Sequence, residues 1–198
     1  MDWILASASP RRKELLKEIV PAFEILTSHG EEIVDENLSP KELVKALAKQ
    51  KASEVALLPQ AEGKIVLGAD TVVALQGKIL GKPADKEEAF SMLSALSGKM
   101  HEVYTGVCIL CPTNEGGRVA FTEADCTKVY FFELEKEKIF DYIATGSPMD
   151  KAGAYGIQDG GLVERIEGSF SNVVGLPTEL CKKMVEEVEE YLKYGTRR

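Results

Sequence analysis

Lys64-Ile65-Val66-Leu67-Gly68-Ala69-Asp70-Thr71-Val72-Val73-Ala74-Leu75, followed by Gln76-Gly77 and Lys78-Ile79-Leu80, decides the fold of this chain. The run from Lys64 to Leu75 is apolar and rich in β-branched residues, which reads as a strand buried on both faces. Gln76-Gly77 then predicts a tight turn that returns the chain through Ile79 and Leu80 as a hairpin. Asp70 is the anomaly. A carboxylate inside an apolar strand costs several kcal/mol unless it is paired or holds a metal. No helix follows for it to cap, so Asp70 reads as functional. Gly68 beside it predicts a bulge or the close approach of another group. The hairpin would bring Gly81-Lys82-Pro83 back toward Asp70.

Upstream, Trp3 to Ala6 predicts a short buried strand leading to Ser9-Pro10, an N-cap followed by proline at the first helical position. The helix runs to about Glu18 with Leu15, Leu16 and Ile19 inward. Its first turn carries Arg11, Arg12 and Lys13, three cations at the positive end of the helix dipole. Two readings stand: a solvated basic turn, or an anion site in which guanidinium groups add to the free N–H groups of the helix. Phe23 to Leu26 predicts a second strand, followed by the acidic loop Glu31 to Glu36. Ser39-Pro40-Lys41-Glu42 is a capping box that opens a helix to about Leu57. Val44, Leu47, Ala48, Lys51 and Val55 share one face of that helix, so Lys51 lies in line with the apolar stripe. It either snorkels to water or reaches across the sheet to a bound anion.

Downstream, Asp85 to Glu88 is another capping box, with Ala89, Met92, Leu93 and Leu96 as the buried stripe and Gly98 as the stop. His101 to Cys111 and Val119 to Leu134 predict two long strands, followed by a helix from Glu135 to Ala144. A glycine-rich segment covers Gly146 to Gly161, and Leu162 to Ile166 predicts a strand. Thr178 opens the last helix, with Leu180, Met184, Val185 and Val188 inward. Strands and helices mixed in this order predict an α/β fold around one central mixed sheet with flanking helices.

The chain has 198 residues, enough to bury a sizeable core, with 44% hydrophobic and 28% charged residues. A net charge of −8 argues against general binding to nucleic acid or a membrane surface. No apolar run approaches the roughly 20 residues of a membrane span. The N-terminus lacks a signal-peptide pattern, which makes the cytoplasm the expected location. Cys108-Ile109-Leu110-Cys111 has CxxC spacing but lies in an apolar run without a second pair, so buried thiols on a strand are expected. With only His29 and His101, histidine-based catalysis is poorly supplied.

Gly77 to Pro83 has the wrong spacing for a Walker phosphate loop, and there is no GxGxxG fingerprint. What remains is a set of cations (Arg11, Arg12, Lys51, Lys82) and carboxylates (Glu31, Glu32, Asp70) at strand and helix ends. That set suits a polyphosphate bound with a divalent metal.

Ser7-Ala8-Ser9-Pro10-Arg11-Arg12 with Glu14-Leu15-Leu16, Gly68 to Val73, Gly81-Lys82-Pro83, Asp150 to Gln158, and Val173-Val174-Gly175-Leu176-Pro177 together resemble the Maf family. Its members are nucleoside triphosphate pyrophosphatases, once described as septum-formation inhibitors. The blocks fall in family order from residue 4 to about 180. The resemblance implies a single domain over 1–198, elongated, with two lobes around a cleft. It further implies a fold like that of the inosine triphosphate pyrophosphatases, and a homodimer. By matching position it implies Asp70 as the catalytic acid–base residue and Ser7, Arg11, Arg12, Lys51 and Lys82 as phosphate contacts. Glu32 and Asp70 become the acidic positions at a divalent metal, magnesium, manganese or cobalt. Arg11, Thr71 and Gln158 match the branch acting on dTTP and UTP. Ser147 and Asp159 depart from the usual pattern, where glutamate and glycine are more common. A nucleotide-binding regulator of cell division with little turnover is the alternative.

Overall fold

The computed structural model describes residues 1–27, 30, 37–113 and 115–195. Seven strands form one mixed sheet. β1 (Trp3–Leu5) pairs in parallel with β2 (Glu24–Ile25) and with β3 (Ile65–Leu75). β3 then pairs antiparallel with β5 (Met100–Pro112), which pairs with β6 (Arg118–Phe131), which pairs with β7 (Val163–Glu167). β4 (Lys78–Leu80) returns on β3 as the expected hairpin. Gln76 and Gly77 both have positive φ, 50° and 80°, the backbone that a two-residue turn between twisted strands requires.

The edge of β3 away from β5 is shared. β1 covers Ile65 to Leu67, β4 covers Val73 to Leu75, and no strand among the described residues covers the stretch between them. The C-terminal ends of β1 and β4 therefore point at the same gap, and Asp70 and Thr71 sit in it. This split edge makes a groove without breaking the β3–β5 ladder, which runs in register from Val66 to Ala74.

Alternation along β3 sends Val66, Gly68, Asp70 and Val72 to one face and Leu67, Ala69, Thr71 and Val73 to the other. The first face is covered by α2 (Pro40–Ala56), whose Val44, Leu47, Ala48, Ala52 and Val55 are buried. Its capping box is formed as expected, with Glu42 N donating to Ser39 Oγ and Ser39 N donating to Glu42. The second face is covered at one end by α1 (Pro10–Lys17) and α6 (Thr178–Tyr194). At the other end lie α3 (Lys86–Leu96), α4 (Lys136–Ala144) and the turns around Ala154.

Two glycines set how closely α2 lies on the sheet. A Cβ on Gly68 would fall 2.5 Å from Ala48 O, and one on Gly106 would fall 2.2 Å from Val44 O. Of the two roles expected for Gly68, the structure has the close approach and no bulge. Cys108 and Cys111 are buried on β5, as expected. One element had no counterpart in the sequence reading: α5 (Phe170–Val174), capped by Ser169, whose hydroxyl accepts from Asn172 N. The acidic loop Glu31 to Glu36, Glu32 included, lies outside the described residues.

Candidate active site

At the gap in the sheet edge lies a cleft of about 910 Å³. It is lined by Ser7 to Arg12 after β1, Lys51 and Glu54 of α2, Asp70 to Val73 of β3, Gly81 and Lys82 after β4, Asp150 to Ala152, Tyr155 to Gln158, and Val173 to Gly175. Every sequence-predicted site residue within the described part of the chain therefore meets in one cleft: Ser7, Arg11, Arg12, Lys51, Asp70, Thr71, Lys82 and Gln158. Glu32 is outside the described residues.

Asp70 is buried (7% exposed), and Lys51 Nζ donates to its Oδ1. Of the two readings of Lys51, snorkelling to water does not hold, and the partner is a carboxylate of the protein itself. The side chain does not run out to water; with 18% of it exposed, it crosses the groove to the carboxylate. The glycine-permitted closeness of α2 is what brings it within reach. The cost of burying Asp70 is thereby offset by a charged partner. Gln50 and Glu54 flank Lys51 on the same helix, with Gln50 Nε2 donating to Glu54 Oε1 at 2.8 Å.

On the other face, Arg11 and Arg12 in the first turn of α1 also find partners within the protein. Ser9 caps the helix by accepting from Arg12 N, as the sequence predicts. Arg12 Nε donates to Gly175 O at 2.9 Å, its Nη1 to Ser7 Oγ at 3.3 Å and its Nη2 to Thr71 Oγ1 at 3.1 Å. Arg11 Nη1 pairs with Asp150 Oδ2 at 3.4 Å. Burial would push the Asp150 carboxyl up, but Lys151 at 2.8 Å and Arg11 hold it below the usual carboxylate range.

Gln158 stands exposed on the rim, next to a polar cluster built on Ser147 and Asp159. Asp159 Oδ2 accepts from Tyr142 Oη at 2.5 Å and from Ser147 Oγ at 2.6 Å. Lys151 Nζ donates to the carbonyl and hydroxyl of the same Ser147. Burial opposes the charge on Asp159, and these hydrogen bonds outweigh it and hold its carboxyl low. Ser147 and Asp159 thus form one coupled arrangement that ties down the loop carrying Gln158.

Sequence reasoning missed Thr105, Asn172, Glu54 and Asp150. Thr105 is found only through register, since it stands directly opposite Thr71. Asn172 carried no signal of the kind that exposed Asp70: it stands beside Ser171 in the five residues Phe170 to Val174, too short and too polar a segment to mark it out.

Oxygen ligands suit a hard divalent cation, and one such ligand set starts here with Asp70. Among the described residues no group of three His, Cys, Asp or Glu side chains is placed to enclose an ion. Asp70 is a carboxylate in the cleft, and it fits a hard divalent cation of the kind that binds through one or two carboxylates together with substrate phosphates.

A family profile described as Maf-like protein matches residues 2–188. A Geobacillus protein named dTTP/UTP pyrophosphatase is 54% identical over 188 residues, covering 94% of this chain and 96% of that protein. A Clostridium perfringens protein of the same name is 47% identical over 192 residues, covering 96% and 98%. The solved structure of the Staphylococcus aureus Ham1 protein aligns over 94% of this chain and 98% of that one, with a TM-score of 0.48 and 16% identity.

Proposed function

Because this chain belongs to the Maf-like protein family, we propose that it is a house-cleaning nucleoside triphosphate pyrophosphatase. Its substrates in this reading are dTTP and UTP, split between the α and β phosphates into the monophosphate and pyrophosphate. The observation that carries the proposal is the gap in the sheet edge, where Asp70 and four cations, Arg11, Arg12, Lys51 and Lys82, line one cleft. The names of the 54% and 47% identical relatives support the choice of pyrimidine nucleotides.

In this mechanism Asp70 accepts the proton of the attacking water, directed at the α-phosphorus. Lys51 holds Asp70 in place while the nucleotide enters. Arg11, Arg12 and Lys82 neutralise the triphosphate and then the departing pyrophosphate, where negative charge develops. Ser7, already bonded to Arg12, adds a hydroxyl donor at the same end of the cleft. Gln158 on the rim reads the base edge, because its amide offers both a donor and an acceptor to the imide of uracil or thymine. Asp70, with Glu32 as the expected second carboxylate, would hold the divalent cation. When bound, magnesium, manganese or cobalt supplies Lewis-acid polarisation of a phosphate oxygen. The family resemblance extends the proposal to a homodimer working in the cytoplasm.

A nucleotide panel with each of the three metals, followed by pyrophosphate release, tests it. UTP and dTTP should be hydrolysed well, and ITP, 7-methyl-GTP and the common purine triphosphates poorly. Stepwise release of inorganic phosphate contradicts the reaction; preference for a purine contradicts the substrate.

A further inference from the structure

Behind Arg12 runs a line of buried polar groups that no step above has used. Thr71 Oγ1, which accepts from Arg12 Nη2, lies 2.9 Å from Thr105 Oγ1. Thr105 Oγ1 in turn lies 2.9 Å from the carbonyl of Asn172. The Asn172 amide donates to Val103 O and to Thr127 Oγ1, each at 2.9 Å. Thr105, Thr127 and Asn172 are all wholly buried.

Donor counting fixes the proton direction. A carbonyl only accepts, so the one proton of Thr105 points at Asn172 O. Thr105 can then only accept from Thr71, so the Thr71 proton points inward. That leaves the outer lone pairs of Thr71 facing the guanidinium. The second anchor of Arg12, Gly175 O at 2.9 Å, belongs to the residue that ends α5. Two of the three grips on the guanidinium, Thr71 and Gly175 but not Ser7, therefore lead back to α5, and Asn172 is where α5 is tied to β5 and β6.

We propose that Thr105 and Asn172 are positioning residues which, through Thr71, fix the guanidinium of Arg12 toward the phosphates in the cleft. Solvent-exposed arginines lose side-chain freedom on binding an anion; Arg12 is pre-set at the cleft wall, which is what stabilising a charge that develops in the reaction requires. The inference rests on the function proposed above, in that the cleft takes a triphosphate.

Thr105→Val keeps the shape of the side chain and removes both hydrogen bonds; Thr105→Ser keeps them. The first should lower kcat/KM for UTP by about 10- to 100-fold, the range a lost buried hydrogen bond corresponds to, and the second should restore it to within about threefold. Inorganic triphosphate binding, followed by calorimetry, should weaken in parallel. In an Arg12→Ala background Thr105→Val should change either quantity less than about twofold, since the group it positions is gone. Equal loss in both backgrounds, or failure of Thr105→Ser to rescue, overturns the relay. If Thr105→Val does not fold, the wild-type protein decides. One arginine Nη–H signal, identified by its loss in Arg12→Lys, should exchange slowly with water because Thr71 holds Nη2, and its absence overturns the relay. A wild-type protein that binds inorganic triphosphate with this dependence but hydrolyses no nucleotide upholds the relay and refutes the proposed function.

Discussion

Gly106→Ala perturbs the site without touching it. Gly106 stands directly opposite Asp70 across the β3–β5 ladder and beneath α2. The added Cβ would lie 2.2 Å from Val44 O and 2.8 Å from Lys45 N, where ordinary contact begins near 3.4 Å. Both obstacles are backbone, so no side chain can swing aside and α2 must lift by more than 1 Å. Gly68 under Ala48 blocks a tilt about the middle of the helix, so the helix rises as a body and carries Lys51 with it. Overpacking of this kind costs about 1–3 kcal/mol, and the rigidity of both partners places it at about 3 kcal/mol. For a chain of this size that corresponds to roughly 6–12 °C in Tm. A misplacement of about 1 Å at a reacting group costs on the order of 100-fold in rate. Thermal unfolding and pyrophosphate release from UTP measure the two effects. Gly117→Ala, whose Cβ would meet nothing closer than Thr113 Oγ1 at 3.5 Å, is the control and should stay within about 0.5 kcal/mol of wild type. A Gly106→Ala protein with wild-type Tm and rate would refute the claim that close approach of α2 sets the Lys51–Asp70 contact.

Three further outcomes are expected. Asp70→Asn should lower turnover by at least ~100-fold with the fold intact, because an amide neither accepts the water's proton nor binds a cation as an anion; near wild-type turnover would remove Asp70 from the mechanism. Lys82→Ala should weaken hydrolysis with little change in Tm, since the side chain is exposed on the cleft wall, whereas Lys51→Ala should lower both by stranding the Asp70 carboxylate; equal Tm for the two variants would count against the buried pair. Burial pushes His101 down to about 4 from an ordinary 6.5, so the unfolded chain takes up the proton first as pH falls. Its contribution is complete above pH 6.5 and is lost toward pH 4, a swing of about 3 kcal/mol. The stability difference between wild type and His101→Leu in denaturant should shrink accordingly, and a difference independent of pH would refute it.

Much of the architecture was legible because single local signals agreed. Ser9-Pro10 and the Ser39 capping box mark helix starts that the structure keeps, and Gln76-Gly77 marks the hairpin. Asp70 stood out because a carboxylate in an apolar strand is costly anywhere in a fold. Lys51 did not resolve in the same way: its position on the stripe allowed two destinations, and the choice depends on Gly68 and Gly106 letting the helix down onto the sheet. Thr105 and Asn172 were illegible because their meaning lies in strand register and in a five-residue helix too short for periodicity. The split edge of β3, which opens the cleft, likewise depends on the pairing of β1 with β3, distant in sequence, as well as on the local hairpin with β4.

Hydrolysis of UTP in ¹⁸O-labelled water tests the central claim most directly, because the label records which phosphorus the water attacked. Attack at the α-phosphorus places one ¹⁸O in UMP and none in pyrophosphate, and that is the outcome the proposed reaction predicts. Label in pyrophosphate, or labelled inorganic phosphate with UDP as the other product, would contradict it.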